Sequence, residues 1–190
     1  MVALVAGLVV FLGLHSVRIF AEGWRGRTIA RIGEKPWKAL YSLVSIAGFV
    51  LLVWGYTQAR QQVPVWDPPD FMQYVTVALM LPVFVLLTAA YWPHNSIKAG
   101  VHHPMLLAVK LWAVAHLLSN GNLADVLLFG SFLVWAIFDL RAAGKRDRAA
   151  GTVWPRGTTA ATLGCIVIGL GIYAAFILGL HEWLIGVQPI

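Results

Sequence analysis

The fold is decided by apolar runs such as residues 1–20, MVALVAGLVVFLGLHSVRIF. Of the four residue types Lys, Arg, Asp and Glu, this run contains only Arg18. About 20 mostly apolar residues are what an α-helix needs to cross the hydrocarbon core of a bilayer. The run is too long for a strand, and a backbone in lipid must satisfy its own hydrogen bonds. This stretch therefore predicts a membrane-spanning helix.

Five further apolar runs follow along the chain, at residues 40–56, 72–92, 104–119, 123–140 and 159–180. The run at 104–119 is short and has no clear start. Segments rich in Pro, Asn, Asp and Gly separate the runs, and such segments are typical of turns. The sequence predicts an all-α, polytopic six-transmembrane-helix bundle that forms a single domain over residues 1–190.

The composition agrees with a membrane location. The chain is 59% apolar and 12% charged, whereas soluble domains are about 45–50% apolar and about 25% charged. These values exclude a disordered chain and argue against an ordinary soluble enzyme. The bilayer is the expected partner, and no nucleic acid partner is expected, because a solvated basic face is lacking. A single cysteine, Cys165, excludes an internal disulfide and any multi-cysteine metal site.

Basic residues alternate between the predicted loops, which sets the orientation in the membrane. The first loop and the fifth loop each carry five Lys or Arg residues, namely Arg25, Arg27, Arg31, Lys35 and Lys38, then Arg141, Lys145, Arg146, Arg148 and Arg156. The other loops carry one or none. We therefore expect both termini to lie outside the cytoplasm, in a bacterial inner membrane or an equivalent one.

Two histidines lie inside apolar runs, His15 in the first and His116 in the fourth. An ionisable residue inside a membrane is a functional hypothesis by default. Two histidines from different helices are the usual protein contribution to a six-coordinate haem b. Simple packing against a neighbouring helix is the alternative for each. His103, at the start of the fourth run, competes with His116 because its expected depth is closer to that of His15.

Three cations and one tryptophan accompany these histidines. Lys110 lies deep in the fourth run, and it is predicted to pair with a haem propionate together with Arg18 or Lys38. Pairing with Asp139 or with lipid headgroups is the alternative for Lys110. Trp112 precedes His116 by four residues, so the two side chains share a helix face. Trp112 then lines a flat cofactor or a lipid substrate, or else simply packs.

With these residues in view, the chain resembles the NnrU family of bacterial membrane proteins, which is related to the 15-cis-zeta-carotene isomerases of plants and cyanobacteria. The resemblance covers nearly the whole chain, and it depends on the order and spacing of its motifs. They are Leu14-His15-Ser16-Val17-Arg18, Gly33-Glu34 with Trp37-Lys38-Ala39-Leu40-Tyr41-Ser42-Leu43, His103-Pro104, Lys110-Leu111-Trp112-Ala113-Val114-Ala115-His116, Asn120-Gly121 and Ala124-Asp125-Val126-Leu127-Leu128-Phe129-Gly130-Ser131-Phe132.

The resemblance implies a ligand pair. The isomerases hold haem b with two histidines, which fall on His15 and His116 of this chain, so that His116 is chosen over His103. The isomerases also have a cysteine three residues before the second ligand, where this chain has Ala113. The NnrU branch is associated with denitrification and with nitric oxide metabolism.

Three functions follow as hypotheses. The first is a haem b membrane protein linked to nitric oxide metabolism and denitrification. The second is a haem-dependent cis–trans isomerase of a carotenoid-like polyene, which would make the protein an enzyme. The third is a non-haem assembly or metal-transport helper, whose histidines only pack or bind a metal in transit.

Overall fold

The computed structural model describes residues 1–60 and 62–189, and most of these residues are helical. In the described residues the helices are α1 (Val2–Phe20), α2 (Glu22–Ile32), α3 (Glu34–Ala59), α4 (Met72–Tyr91), α5 (Ser96–Val101), α6 (Pro104–Ser119), α7 (Leu123–Ala150), α8 (Thr159–Ala175) and α9 (His181–Ile185). A π-helical turn, Phe176–Leu180, joins α8 to α9. The predicted all-α class is confirmed.

Five helical segments in the described residues are long and apolar enough to cross a membrane: Val2–Phe20, Glu34–Ala59, Met72–Tyr91, Leu123–Ala150 and Thr159–Ile185. They indicate a multi-pass membrane protein. The remaining apolar helix, α6, has 16 residues. Its length is about 24 Å at the usual rise, which is shorter than the roughly 30 Å hydrocarbon core. The six-span count and the placement of both termini outside the cytoplasm stay predictions.

The polar connections contain more helix than the apolar runs predict. The first basic loop forms α2, where Glu22 pairs with Arg25 at 2.9 Å one turn later. At its far end α7 continues to Ala150, ten residues beyond the end of the apolar run. This extension is rich in Ala, Arg and Lys, which are strong helix formers even without an apolar face. Hydropathy follows only the part of a helix that lies in lipid, so it misses such extensions.

The chain folds into two compact units, of which the first comprises residues 1–67 and 121–139. In this unit α1 packs along α3. A Cβ atom added at Gly55 would overlap the backbone of Leu4, and one added at Gly7 would overlap the backbone of Leu52. These glycines therefore allow the two backbones to approach closely, which is a common basis of helix packing in membranes.

A buried polar contact ties α3 to the start of α7 within the first unit. The hydroxyl of Tyr56 donates to Oδ1 of Asp125 at 2.6 Å, and Oδ2 of Asp125 accepts from the backbone N–H of Asn122 at 3.0 Å. Asp125 is 2% exposed, and it lies in the first turn of α7, where the helix dipole favours a negative charge. With these hydrogen bonds the carboxylate is held as a structural group.

The second unit comprises residues 68–120 and 140–189, and α4 is its central helix. It packs against both α6 and α8. The Thr76 hydroxyl donates to the backbone carbonyl of Ala115 at 2.7 Å, and the Tyr173 hydroxyl donates to the backbone carbonyl of Val77 at 3.0 Å. These bonds fix α6 and α8 against α4, so they also fix the position of His116 within this unit.

The predicted orientation can be tested on α2. We expect a cysteine introduced by Gly26→Cys to be protected from an impermeant maleimide added to intact cells, because positive residues keep this segment cytoplasmic. A cysteine introduced by Asp67→Cys, in the second loop, should be labelled. The native Cys165 is 0% exposed and contributes no background. Labelling of Gly26→Cys with protection of Asp67→Cys would reverse the topology.

Candidate functional site

The ring of His15 lies among aromatic side chains of the first unit. Its centroid is 4.2 Å from that of Phe11 on the same helix, 5.4 Å from that of Tyr41 on α3 and 6.1 Å from that of Trp135 on α7. Tyr41 and Trp135 both meet the imidazole edge to face. Three helices therefore restrict the orientation of this half-buried ring.

A backbone hydrogen bond also selects the tautomer of His15. Its Nδ1 lies 2.7 Å from the carbonyl oxygen of Phe11, one turn earlier in α1. A carbonyl oxygen can only accept, so Nδ1 carries the proton in this bond. In the neutral imidazole the lone pair then lies on Nε2, for which the described residues contain no hydrogen-bond partner. A histidine that binds a metal through one ring nitrogen usually donates the N–H of its other nitrogen to a carbonyl, a carboxylate or water.

His116 repeats this arrangement on α6 in the second unit. Its Nδ1 lies 2.9 Å from the carbonyl oxygen of Trp112, again one turn earlier. The Trp112 indole is tilted by 50° against the imidazole, with 5.4 Å between the ring centroids. The prediction that these two side chains share a helix face is confirmed. The same hydrogen bond places the lone pair of the neutral ring on Nε2.

His103 differs from both. Its Nε2 lies 2.7 Å from Oδ2 of Asp147, near the polar end of α7. The ring also meets the indole of Trp154 edge to face, with 5.7 Å between centroids. His103 thus belongs to a polar cluster with a carboxylate partner. In the described residues its Nδ1 makes no backbone bond of the kind that His15 and His116 share.

The three predicted cations lie in different surroundings. Lys110 is half-buried in the middle of α6, and its ammonium group makes no hydrogen bond or ion pair with the described residues. Lys38 pairs with Glu34 at 2.7 Å, and both side chains are exposed. Arg18 lies in the last turn of α1, three residues after His15. Lys110 is the most unusual of them, because a deep ammonium group in an apolar helix needs a counter-charge.

A groove of about 540 Å³ lies between α1 and α7 in the first unit. Its lining is mostly apolar and includes Leu12, Val134 and Trp135. Ser16 and Ser131 are the two serines that also line it. The indole Nε1 of Trp135 is buried and has no hydrogen-bond partner in the described residues. A buried donor without an acceptor costs about 1–3 kcal/mol. Sequence reasoning alone does not single out Trp135 for any role.

The donor set also limits the kind of metal group that fits. In residues 1–60 and 62–189 no cluster of three or more His, Cys, Asp or Glu side chains is placed to hold a bare metal ion. A haem macrocycle supplies four equatorial nitrogens itself, so it needs at most two protein ligands. In its neutral form, each of His15 and His116 would offer one such ligand through Nε2.

No curated protein and no solved structure is significantly similar to this chain. The NnrU protein family model, however, matches residues 3–189. Because that match covers nearly the whole chain, the protein belongs to the NnrU family.

Proposed function

We propose that this NnrU protein is an integral membrane haem b-binding protein linked to nitric oxide metabolism in denitrification, in which His15 and His116 would ligate the haem iron. One observation carries the proposal. The Nδ1 atom of each of these histidines bonds to the carbonyl of the residue four positions earlier, which leaves Nε2 of the neutral ring as the ligand atom.

The surrounding residues would supply what a haem needs besides its iron ligands. The ammonium of Lys110, together with Arg18 or Lys38, would neutralise the two propionates. Breaking the exposed Lys38–Glu34 pair for this purpose costs little, because surface ion pairs are worth about 0–1 kcal/mol. The indole of Trp112 provides an apolar face next to His116.

A bound haem b would supply a redox-active iron, to which nitric oxide would bind after one of the two histidines leaves the iron. The chain's own contribution is positional and electrostatic. The carbonyls of Phe11 and Trp112 hold the two imidazoles in one tautomer, and the aromatic rings around His15 restrict its orientation. The resemblance to the denitrification branch supports the link to nitric oxide and a location in a bacterial inner membrane.

The groove between α1 and α7 favours a second candidate, a haem-dependent cis–trans isomerase of a carotenoid-like polyene. It is apolar and lies beside Trp135 and hence close to His15. One residue argues against this candidate, because the buried Ala113 stands where the isomerases have a cysteine. Cys165 does not replace it, since its Sγ lies on α8, 3.9 Å from the carbonyl of Val85.

Adding nitric oxide to the reduced, detergent-purified protein tests the first candidate against the second. We expect the Soret band to shift and no conversion of added zeta-carotene under the same reducing conditions. Isomer conversion without a response to nitric oxide would favour the isomerase instead. Bound copper in a protein that carries no haem would favour the assembly or metal-transport helper.

A further inference from the structure

A polar pocket of about 420 Å³ lies in the second unit, and neither of the two proposed haem ligands lines it. The turn between α5 and α6, the polar end of α7 and the connection to α8 form it. Its polar and aromatic lining consists of His102, His103, Asp147, Arg148, Thr152 and Trp154. We infer that this pocket binds a phosphate group, carried by a lipid headgroup or by a free phosphate ester.

The charges of the pocket favour an anion. Its one carboxylate, Asp147, accepts a hydrogen bond from Nε2 of His103 at 2.7 Å. The guanidinium of Arg148 has no carboxylate partner in the described residues. It lies along its own helix over Gly144, where an added Cβ would come within 3.4 Å of the guanidinium. A guanidinium fork that is not paired with a carboxylate matches the oxygens of a phosphate group.

His102 adds a second donor in a restrained position. Its imidazole stacks on the indole of Trp154, with 5.2 Å between centroids and 10° between planes. Its backbone has φ 62° and ψ −50°, and the N–H of His103 bonds to the carbonyl of Val101 across it at 2.7 Å. This γ-turn is strained for a residue with a side chain. Neither ring nitrogen of His102 has a hydrogen-bond partner in the described residues.

The two helix ends at the pocket act on an anion in opposite directions. The last carbonyls of α7 would repel one, but those of Asp147 and Arg148 accept from the N–H groups of Thr152 at 3.0 Å and Gly151 at 3.3 Å. On the other side α6 begins at Pro104, directly after His103. The positive end of the α6 dipole therefore lies beside the pocket and favours a negative group.

The size of the pocket limits the ligand to a small polar moiety. Ligand pockets usually measure about 300–1,000 Å³, and this one is near the lower end. It accommodates a phosphate with a glycerol-sized group. Its position at the polar end of α7 suits a phospholipid headgroup, and its Trp154 resembles the tryptophans that lie at membrane interfaces.

Titration of the full-length protein in an uncharged detergent tests the inference, with glycerol 3-phosphate and inorganic phosphate as soluble probes. A parallel sample receives equal amounts of phosphatidylglycerol and phosphatidylcholine, and native mass spectrometry measures the lipid retained. We expect one phosphate-bearing molecule per chain. Binding of the soluble probes would identify a free phosphate ester. Retention of phosphatidylglycerol without binding of the soluble probes would identify a lipid headgroup. Failure of every probe to bind would overturn the inference.

Variants locate the binding. Arg148→Ala should weaken it by about tenfold or more, because one charge-assisted contact of this kind is lost. His102→Ala should weaken it by a smaller factor. The matched control is Arg141→Ala, which removes the same charge from the same helix outside the pocket and should retain the affinity of the unmodified chain. Equal losses in Arg148→Ala and Arg141→Ala would show nonspecific attraction to the basic helix end and would refute the pocket. Haem content should be unchanged in all three variants, so this test is separate from the proposed function.

Discussion

Replacing His15 or His116 by alanine is expected to abolish haem retention. Each variant removes one proposed iron ligand and leaves the hydrogen-bonding carbonyl, of Phe11 or of Trp112, without its imidazole. The haem content of protein purified in detergent, measured as pyridine haemochrome per chain, checks this. We expect less than about a tenth of the haem of the unmodified chain in either variant, because loss of one strong ligand lowers metal affinity by well over tenfold.

The control for these variants is His103→Ala, which should retain haem at the level of the unmodified chain. His103 pairs with Asp147 and lies in the phosphate pocket of the second unit, so its loss leaves both proposed ligands in place. Full haem occupancy in both His15→Ala and His116→Ala would refute the ligand assignment. Loss of haem in His103→Ala alone would transfer the ligand role to that residue.

Gly55→Ala is expected to destabilise the first unit strongly. The new Cβ would overlap the backbone of Leu4, and a backbone cannot move aside as a flexible side chain can. Overpacking of a core costs about 1–3 kcal/mol when side chains can adjust, so about 3 kcal/mol or more is expected here. Thermal unfolding in detergent, followed by helical circular dichroism, measures the loss as a lower apparent midpoint.

Gly13→Ala is the matched control for that substitution. Gly13 lies in the adjoining helix α1, and apart from the local backbone of that helix no atom of the described residues lies within 4 Å of a Cβ added there. Alanine in a helix is favoured over glycine by about 0.5–1 kcal/mol, so this variant should melt at the same temperature or slightly higher. Equal midpoints for Gly55→Ala and the unmodified chain would contradict the close packing of α1 on α3.

The sequence predicts the helices in lipid better than the contacts between them. Long apolar runs have one solution in a membrane, which is why α1, α3 and α4 follow from composition. The glycines show what hydropathy leaves out. Gly13 and Gly55 look alike in sequence because both lie in apolar runs, yet only Gly55 meets another backbone. That difference depends on the pairing of α1 with α3, which hydropathy does not encode.

The candidate ligands were predictable for a related reason, and their supporting residues were not. His15 and His116 are conspicuous because a polar ring inside an apolar run requires an explanation. The carbonyls that orient them are not conspicuous, because every helical residue has a carbonyl four positions earlier. Trp135 resembles the other tryptophans of the chain until the fold places it beside His15 and buries its N–H. The pairing of His103 with Asp147 likewise joins residues 44 positions apart.

An absorption spectrum of the detergent-purified protein, oxidised and then reduced with dithionite, tests the central claim most directly. Ligation by His15 and His116 predicts a sharp Soret band and, on reduction, resolved α and β bands of a six-coordinate haem b. A spectrum without these bands, after expression with added haem, would contradict the claim and return both histidines to a packing role.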